Sequence, residues 1–136
     1  MSQVLISFRQ VCKRFAGQDG KGAAQFAVKD LTFDVAAGEL VAVVGRTGCG
    51  KSTMFNLLAG LLDPTSGEVR VEGRDPYQEF DWLRGKIAVV FQNDRLLPWR
   101  SAIENVAYGL ELLKRTELER LRIARDWLAR LGLQGH

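Results

Sequence analysis

The sequence predicts an α/β fold built around a phosphate-binding loop. Three observations carry that prediction. Gly45-Arg46-Thr47-Gly48-Cys49-Gly50-Lys51-Ser52-Thr53 fits the pattern G-x-x-x-x-G-K-[ST]. Leu40-Val41-Ala42-Val43-Val44, just before it, is the near-continuous apolar run expected of a strand buried on both faces. Met54-Phe55-Asn56-Leu57-Leu58-Ala59, just after it, can continue as a helix. Strand, glycine loop and helix in that order form the context the motif requires.

The chemistry follows from the residue types. Gly45, Gly48 and Gly50 let the backbone turn tightly and approach a ligand with no Cβ in the way. The loop's N–H groups and the following helix N-terminus then face an anion. Lys51 adds a point charge for the β- and γ-phosphates of a nucleotide, and the Ser52 hydroxyl can ligate Mg²⁺. The competing explanation is a glycine-rich loop that merely turns the chain. Average composition puts a chance match in a chain this short at about one in a few hundred chains. Nucleotide binding is therefore the expectation.

Composition bounds the rest. The 136 residues suffice for one domain and one core. An apolar content of 46% with 26% charged residues is ordinary for a globular protein. The net charge of +3 is mild and no basic stripe runs along the chain, so no nucleic-acid partner is expected. Cys12 and Cys49 are distant in sequence and one lies inside the phosphate loop, a usage that fits a reducing cytosol. Residues 1–9 lack the apolar core of a signal peptide, and no apolar run approaches the about 18 residues of a membrane span. Work at a membrane would need a membrane-embedded partner.

The elements follow in order. Val4-Leu5-Ile6-Ser7-Phe8 reads as a first strand, continued less clearly through Val11, and residues 26–35 read as a second. The glycine-rich residues 16–22 between them form a loop, so the two strands make an antiparallel pair at the domain edge. Phe15, at the foot of the first strand, is either a packing phenylalanine or an aromatic face for an adenine ring; alone, the residue favours packing. Asp63-Pro64-Thr65-Ser66-Gly67 is a turn, because Pro64 fixes φ and Gly67 permits a positive φ. Residues 68–73 alternate polar and apolar, as a half-exposed strand does. Lys86-Ile87-Ala88-Val89-Val90-Phe91 is expected as a second buried strand, ending at Gln92.

Past Gln92 the chain changes character. Leu96-Leu97-Pro98-Trp99 is an apolar loop. Ser101 and Glu104 form a capping box opening a helix with Ile103, Val106, Ala107, Leu110 and Leu113 on one stripe. Thr116 and Glu119 open a second helix striped by Leu118, Leu121, Ala124, Leu128 and Leu131, whose other faces are basic and solvated.

Among proteins with such a loop, a GTPase needs D-x-x-G after it and N-K-x-D later; here the single D-x-x-G, Asp19 to Gly22, precedes it and no N-K-x-D exists. A small-molecule kinase remains an alternative, with the basic residues 120–130 as a lid, although their leucine stripe argues for packing. The joint pattern resembles the nucleotide-binding subunit of an ABC transporter over almost the whole chain. Its parts are Phe15 in the place of the A-loop aromatic, Gly38-Glu39 ahead of the Walker A strand, Gly45 to Thr53 as Walker A, and Gly67-Glu68 opening a strand. Val89-Val90-Phe91-Gln92 resembles the Q-loop strand and its glutamine, 41 residues past Lys51. Leu96-Leu97-Pro98-Trp99 followed by Glu104-Asn105-Val106 resembles the nitrate, sulfonate and taurine importer branch.

The resemblance implies a P-loop NTPase fold: an antiparallel β edge, part of a parallel core, and the start of a helical subdomain, with the core in residues 1–92 and the Q-loop and helices in 93–136. It implies ATP and Mg²⁺ as ligands. Phe15 would stack on adenine; the family more often has tyrosine there. Gly45, Arg46, Thr47, Gly48, Cys49, Gly50, Lys51, Ser52 and Thr53 would bind the nucleotide, and Ser52 and Gln92 would ligate Mg²⁺. Gln92 would also position the attacking water. Leu96, Leu97 and Trp99 would anchor a membrane permease subunit, and a second ATP-binding subunit would complete a homodimer. The location implied is peripheral, on the cytoplasmic face of the inner membrane, serving uptake of a small anion such as nitrate, a sulfonate or taurine.

Three family motifs that normally follow are not in this sequence: the LSGGQ signature, the Walker B strand ending in Asp-Glu, and the switch histidine. The expectation is a first half of the nucleotide-binding domain, cut before the signature, without ATPase activity by itself and with unpaired strand edges. The alternative from another class is a non-catalytic fragment that only docks on a permease or swaps with another copy.

Overall fold

The computed structural model describes residues 3–16, 24–93 and 95–134. Residues 17–22 of the expected loop at 16–22, together with Asp94 and His136, lie outside them. The chain forms two compact units, Met1–Leu83 and Arg84–His136.

The first unit is a three-stranded antiparallel sheet with a helix on one face. β1 (Val4–Phe15) lies at the centre, flanked by β2 (Gln25–Ala36) and β3 (Ser66–Val71). β1 is longer than its apolar alternation suggests. Phe8 and Val11 are both fully buried although their positions differ in parity. The reason is a bulge: Gln10 takes φ 49°, and the register shifts between the pairs Phe8–Phe33 and Val11–Leu31. One extra residue returns Val11 to the core side. The Phe8 and Phe33 rings stack with centroids 4.7 Å apart.

α1 (Lys51–Leu58) closes the core by laying Met54 and Leu57 against Phe8, Val11, Val28 and Val69. Full burial of a side chain the size of Phe8 or Leu57 stabilises by roughly 1.5–3 kcal/mol, so this layer is the chief anchor of the helix. The turn before β3 has the predicted chemistry. Gly67 sits at φ +82°, and a Cβ there would lie 2.3 Å from the Gln10 carbonyl oxygen. A short helix, α2 (Phe80–Leu83), follows with Leu83 buried.

The second unit is an antiparallel helix pair, α3 (Ala102–Leu112) and α4 (Glu117–Arg130). The expected capping box forms in full at Ser101, and at Thr116 only its threonine half forms, because the Glu119 carboxylate accepts from Arg115 instead. Glu104 Oε2 accepts from the Ser101 N–H at 2.7 Å, and Thr116 Oγ1 accepts from the Glu119 N–H at 3.4 Å. Ala107 and Ala124 are buried, letting the helices approach closely. The α4 stripe is covered only in its middle, because Leu118 and Leu131 at its ends are exposed.

Two expectations are corrected. Residues 40–44 and 86–91 were expected as buried strands of a parallel core, and neither forms a strand. Leu40 is 97%, Val44 92% and Val90 98% exposed. A buried parallel strand needs neighbours on both edges and cover on both faces. The described residues supply neither, so every ladder among them is antiparallel.

Candidate functional site

The glycine loop joins residues 40–44 to α1. Gly50 is the N-cap of α1 at φ 98°, a conformation that glycine adopts without strain. A Cβ at Gly50 would stand 2.1 Å from the Ala27 carbonyl oxygen. The third glycine of the motif is therefore a packing requirement as well as a conformational one: the loop's exit lies directly on β2. Gly48 also has a positive φ, +81°, but faces open space. Its glycine serves the backbone alone.

Lys51 is folded back over the loop. Its ammonium donates to the carbonyls of Gly45 at 2.6 Å and Arg46 at 2.8 Å, and to Cys49 Sγ at 3.5 Å. The Cys49 N–H donates to the Arg46 carbonyl at 3.2 Å, closing a turn inside the loop. The result is a ring of backbone tied by one cation, set at the start of a helix of eight residues. Positive charge and the helix's free N–H groups converge there, as an anion site needs. Ser52 is exposed on the first helical turn and Thr53 is half-buried behind it.

The remaining predicted positions are placed as follows. Phe15 ends β1 opposite Gln25, 44% exposed, with the Lys13 ammonium 5.6 Å from its ring centroid. The ring is thus part-exposed, with a cation over one face. Gln92 belongs to the second unit and is exposed. Leu96 and Trp99 are exposed at 70% and 76%, whereas Leu97 is half-buried.

The loop carrying Leu96 and Trp99 is held by a residue whose role was not visible in the sequence. Asn105 Oδ1 accepts from the Leu97 N–H at 2.8 Å, and its Nδ2 donates to the carbonyls of Leu97, Arg100 and Ser101 at 3.0–3.2 Å. One amide side chain so clamps residues 97–101. Arg100 adds a bidentate pair to Glu111 at 2.8 and 3.2 Å and lies over the Tyr108 ring. That hydrogen-bonded guanidinium holds the Glu111 carboxyl below its usual range. The Ser101 hydroxyl and N–H do the same for Glu104. Asparagine four residues into a helix after a capping serine was the available signal, but the type alone does not name its partners.

A family model described as "ABC transporter" matches residues 28–136. The chain belongs to the ABC transporter family. Among curated relatives, the taurine import ATP-binding protein TauB of Escherichia coli (strain K12) is 36% identical over 126 residues, covering 93% of this chain and 46% of its own length. TauB of Pseudomonas aeruginosa (strain UCBPP-PA14) is 40% identical over 114 residues, covering 84% of this chain and 42% of its own. This member of the family thus spans about half the length of the curated relatives it matches. Among solved structures, the ATP-binding cassette MJ0796, in a dimeric post-hydrolysis state with ADP and Pi, aligns at TM-score 0.80 and 29% identity, covering 96% of this chain and 59% of that one. These likenesses extend across both the glycine loop and the helical unit of this ABC transporter chain.

Proposed function

We propose that this chain is the nucleotide-binding part of an ABC importer's ATP-binding subunit, coupling ATP binding and hydrolysis to uptake of a small anion of the taurine, sulfonate or nitrate class. The observation that carries the reading is the Lys51 ammonium set across the Gly45 and Arg46 carbonyls at the head of α1. The 36–40% identity to taurine import ATP-binding proteins supports the importer branch. In this reading Gly45 to Thr53 cradle the phosphates and Phe15 stacks on the adenine.

The residues fit Mg²⁺ as a co-ligand of the nucleotide. No group of three acidic, histidine or cysteine side chains able to hold a metal exists among the described residues. Mg²⁺ needs none, since it keeps waters and phosphate oxygens and takes few protein ligands. The Ser52 hydroxyl is a hard oxygen donor of that kind, and we assign Gln92 the same role from its motif, together with orienting the attacking water. Bound there, the ion would neutralise charge on the phosphates. Lys51 would hold the β- and γ-phosphates and the loop glycines would admit them to the backbone N–H groups.

The exposed Leu96 and Trp99, on a loop clamped by Asn105, support docking to a membrane permease subunit, since rigid apolar anchors on a loop suit a partner helix. No helix among the described residues is long and apolar enough to cross a membrane; the likeness to importer ATP-binding proteins supports a peripheral place on the cytoplasmic face. A second ATP-binding subunit completes the proposed assembly, by analogy with the dimeric cassette. Titration with a fluorescent ATP analogue tests the reading: Mg-ATP should displace it and AMP should not. Equal displacement by AMP would remove the phosphate loop as the binding element.

A further inference from the structure

Phe15 carries a tethered cation. The Lys13 ammonium lies 5.6 Å from the Phe15 ring centroid and donates to the Asp63 carbonyl at 2.6 Å. Lys13 and Phe15 both belong to β1, whereas Asp63 opens the turn after α1, 50 residues beyond Lys13. Two more hydrogen bonds flank that tether. The Thr65 N–H donates to the Cys12 carbonyl at 2.8 Å, and the Thr65 hydroxyl accepts from the Arg14 N–H at 3.0 Å. The turn is thus held on Cys12, Lys13 and Arg14 in succession. The guanidinium of Arg14 itself lies over another ring, 4.1 Å from the Phe26 centroid.

The start of α1 meets the same part of the sheet. The β1–β2 register shifts between the pairs Lys13–Val28 and Arg14–Phe26, leaving Ala27 as the extra residue. The Ala27 carbonyl is the one that Gly50 packs against at the exit of the glycine loop. The phosphate loop and Lys13 therefore share one frame, and Phe15 stands at the strand end just beyond it.

We propose that Lys13 is a positioning residue for nucleotide binding: its ammonium, held by the Asp63 carbonyl, covers one face of Phe15 and fixes the ring, so that adenine takes the other face. The inference rests on the proposed stacking of adenine on Phe15. A part-exposed ring at a strand end must otherwise be ordered when the base arrives, and that ordering opposes binding. A cation over the ring attracts its face and holds it beforehand. The ammonium carries this role, because the aliphatic stem of the lysine cannot donate to a carbonyl.

Calorimetric titration with Mg-ATP and, separately, with magnesium tripolyphosphate tests this, since the second ligand has the phosphates without the base. Phe15→Ala should weaken ATP binding about five- to a hundredfold and leave tripolyphosphate binding unchanged. Lys13→Met keeps an apolar stem without the ammonium. It should weaken ATP binding about two- to tenfold, again with tripolyphosphate unchanged, which also shows that the phosphate loop of the variant is intact. Lys13→Arg keeps a cation and a donor and should restore ATP affinity. Added to Phe15→Ala, Lys13→Met should cost nothing further. Parent-like ATP affinity in Lys13→Met beside a loss in Phe15→Ala overturns the proposal and leaves the adenine stack standing. Equal loss of both ligands in Lys13→Met overturns it as well, because the lysine would then serve the phosphates or the fold. A further loss in the double variant does the same. No loss of ATP affinity in Phe15→Ala removes the stack itself, and this inference with it.

Discussion

The Lys51 ammonium spans the glycine loop to the Gly45 carbonyl at 2.6 Å, tying the first residue of the motif to the start of α1. A phosphate entering the loop meets a cation already in place, so little ordering is needed on binding. Such preorganisation raises affinity by lowering the entropy lost.

The two glycines at the loop's end should respond differently to alanine. Gly50→Ala pushes a Cβ against the Ala27 carbonyl oxygen and adds positive-φ strain. Overpacking of this kind costs about 1–3 kcal/mol, and the strain adds a further contribution of about 1 kcal/mol. Gly48→Ala meets open space and bears the strain alone. Urea denaturation should rank the variants parent, Gly48→Ala, Gly50→Ala in falling stability. Equal loss at both positions would mean that the loop does not rest on β2.

Asn105→Ala removes four hydrogen bonds to the 97–101 segment. A part-buried amide left without its partner costs about 1–3 kcal/mol. Limited proteolysis should cut residues 95–101 faster in the variant, while the first unit keeps its protection. An unchanged cleavage rate would deny Asn105 the role of clamp.

Much of this fold was legible in the residues. The capping box at Ser101, the Thr116 cap and the Pro64–Gly67 turn are local chemistry, and local chemistry is written in the local sequence. Residues 40–44 and 86–91 differ from the expectation for the opposite reason. A strand is made by its neighbours, and apolar composition says only what a segment would do if flanked. β1 shows the same limit from another side, since the Gln10 bulge breaks the alternation that marks a strand although the strand continues to Phe15. At the site, the motif gave the loop's chemistry, but Gly50 resting on Ala27 and Asn105 holding Leu97 are tertiary facts with no period to reveal them.

Acid should loosen the second unit. Hydrogen bonds from Ser101 and Arg100 lower the Glu104 and Glu111 carboxyls relative to their ordinary values. A depressed carboxyl contributes stability that is present above the usual glutamate pKa of about 4.3 and is lost as pH falls through the lower folded value. Helical circular dichroism should therefore hold from neutral pH down to that region and decline below it. Glu104→Gln with Glu111→Gln should lower stability at neutral pH and flatten the acid decline. A decline of unchanged size in the double variant would assign it to other groups.

Cys49 offers a reporter inside the loop. Its side chain is free and exposed, beside the ammonium that we assign to the phosphates. Maleimide labelling of Cys49 should slow in saturating Mg-ATP, with Cys12 as the internal control. An unchanged rate at Cys49 would place the nucleotide elsewhere.

Isothermal titration calorimetry of Mg-ATP into the parent chain and into Lys51→Ala tests the central claim most directly. Each charge-assisted contact from the ammonium is worth roughly 1.5–3 kcal/mol, and 1.4 kcal/mol is a factor of ten. The account predicts measurable binding by the parent and affinity about ten- to a hundredfold weaker in Lys51→Ala. Equal affinity in the two proteins would contradict it.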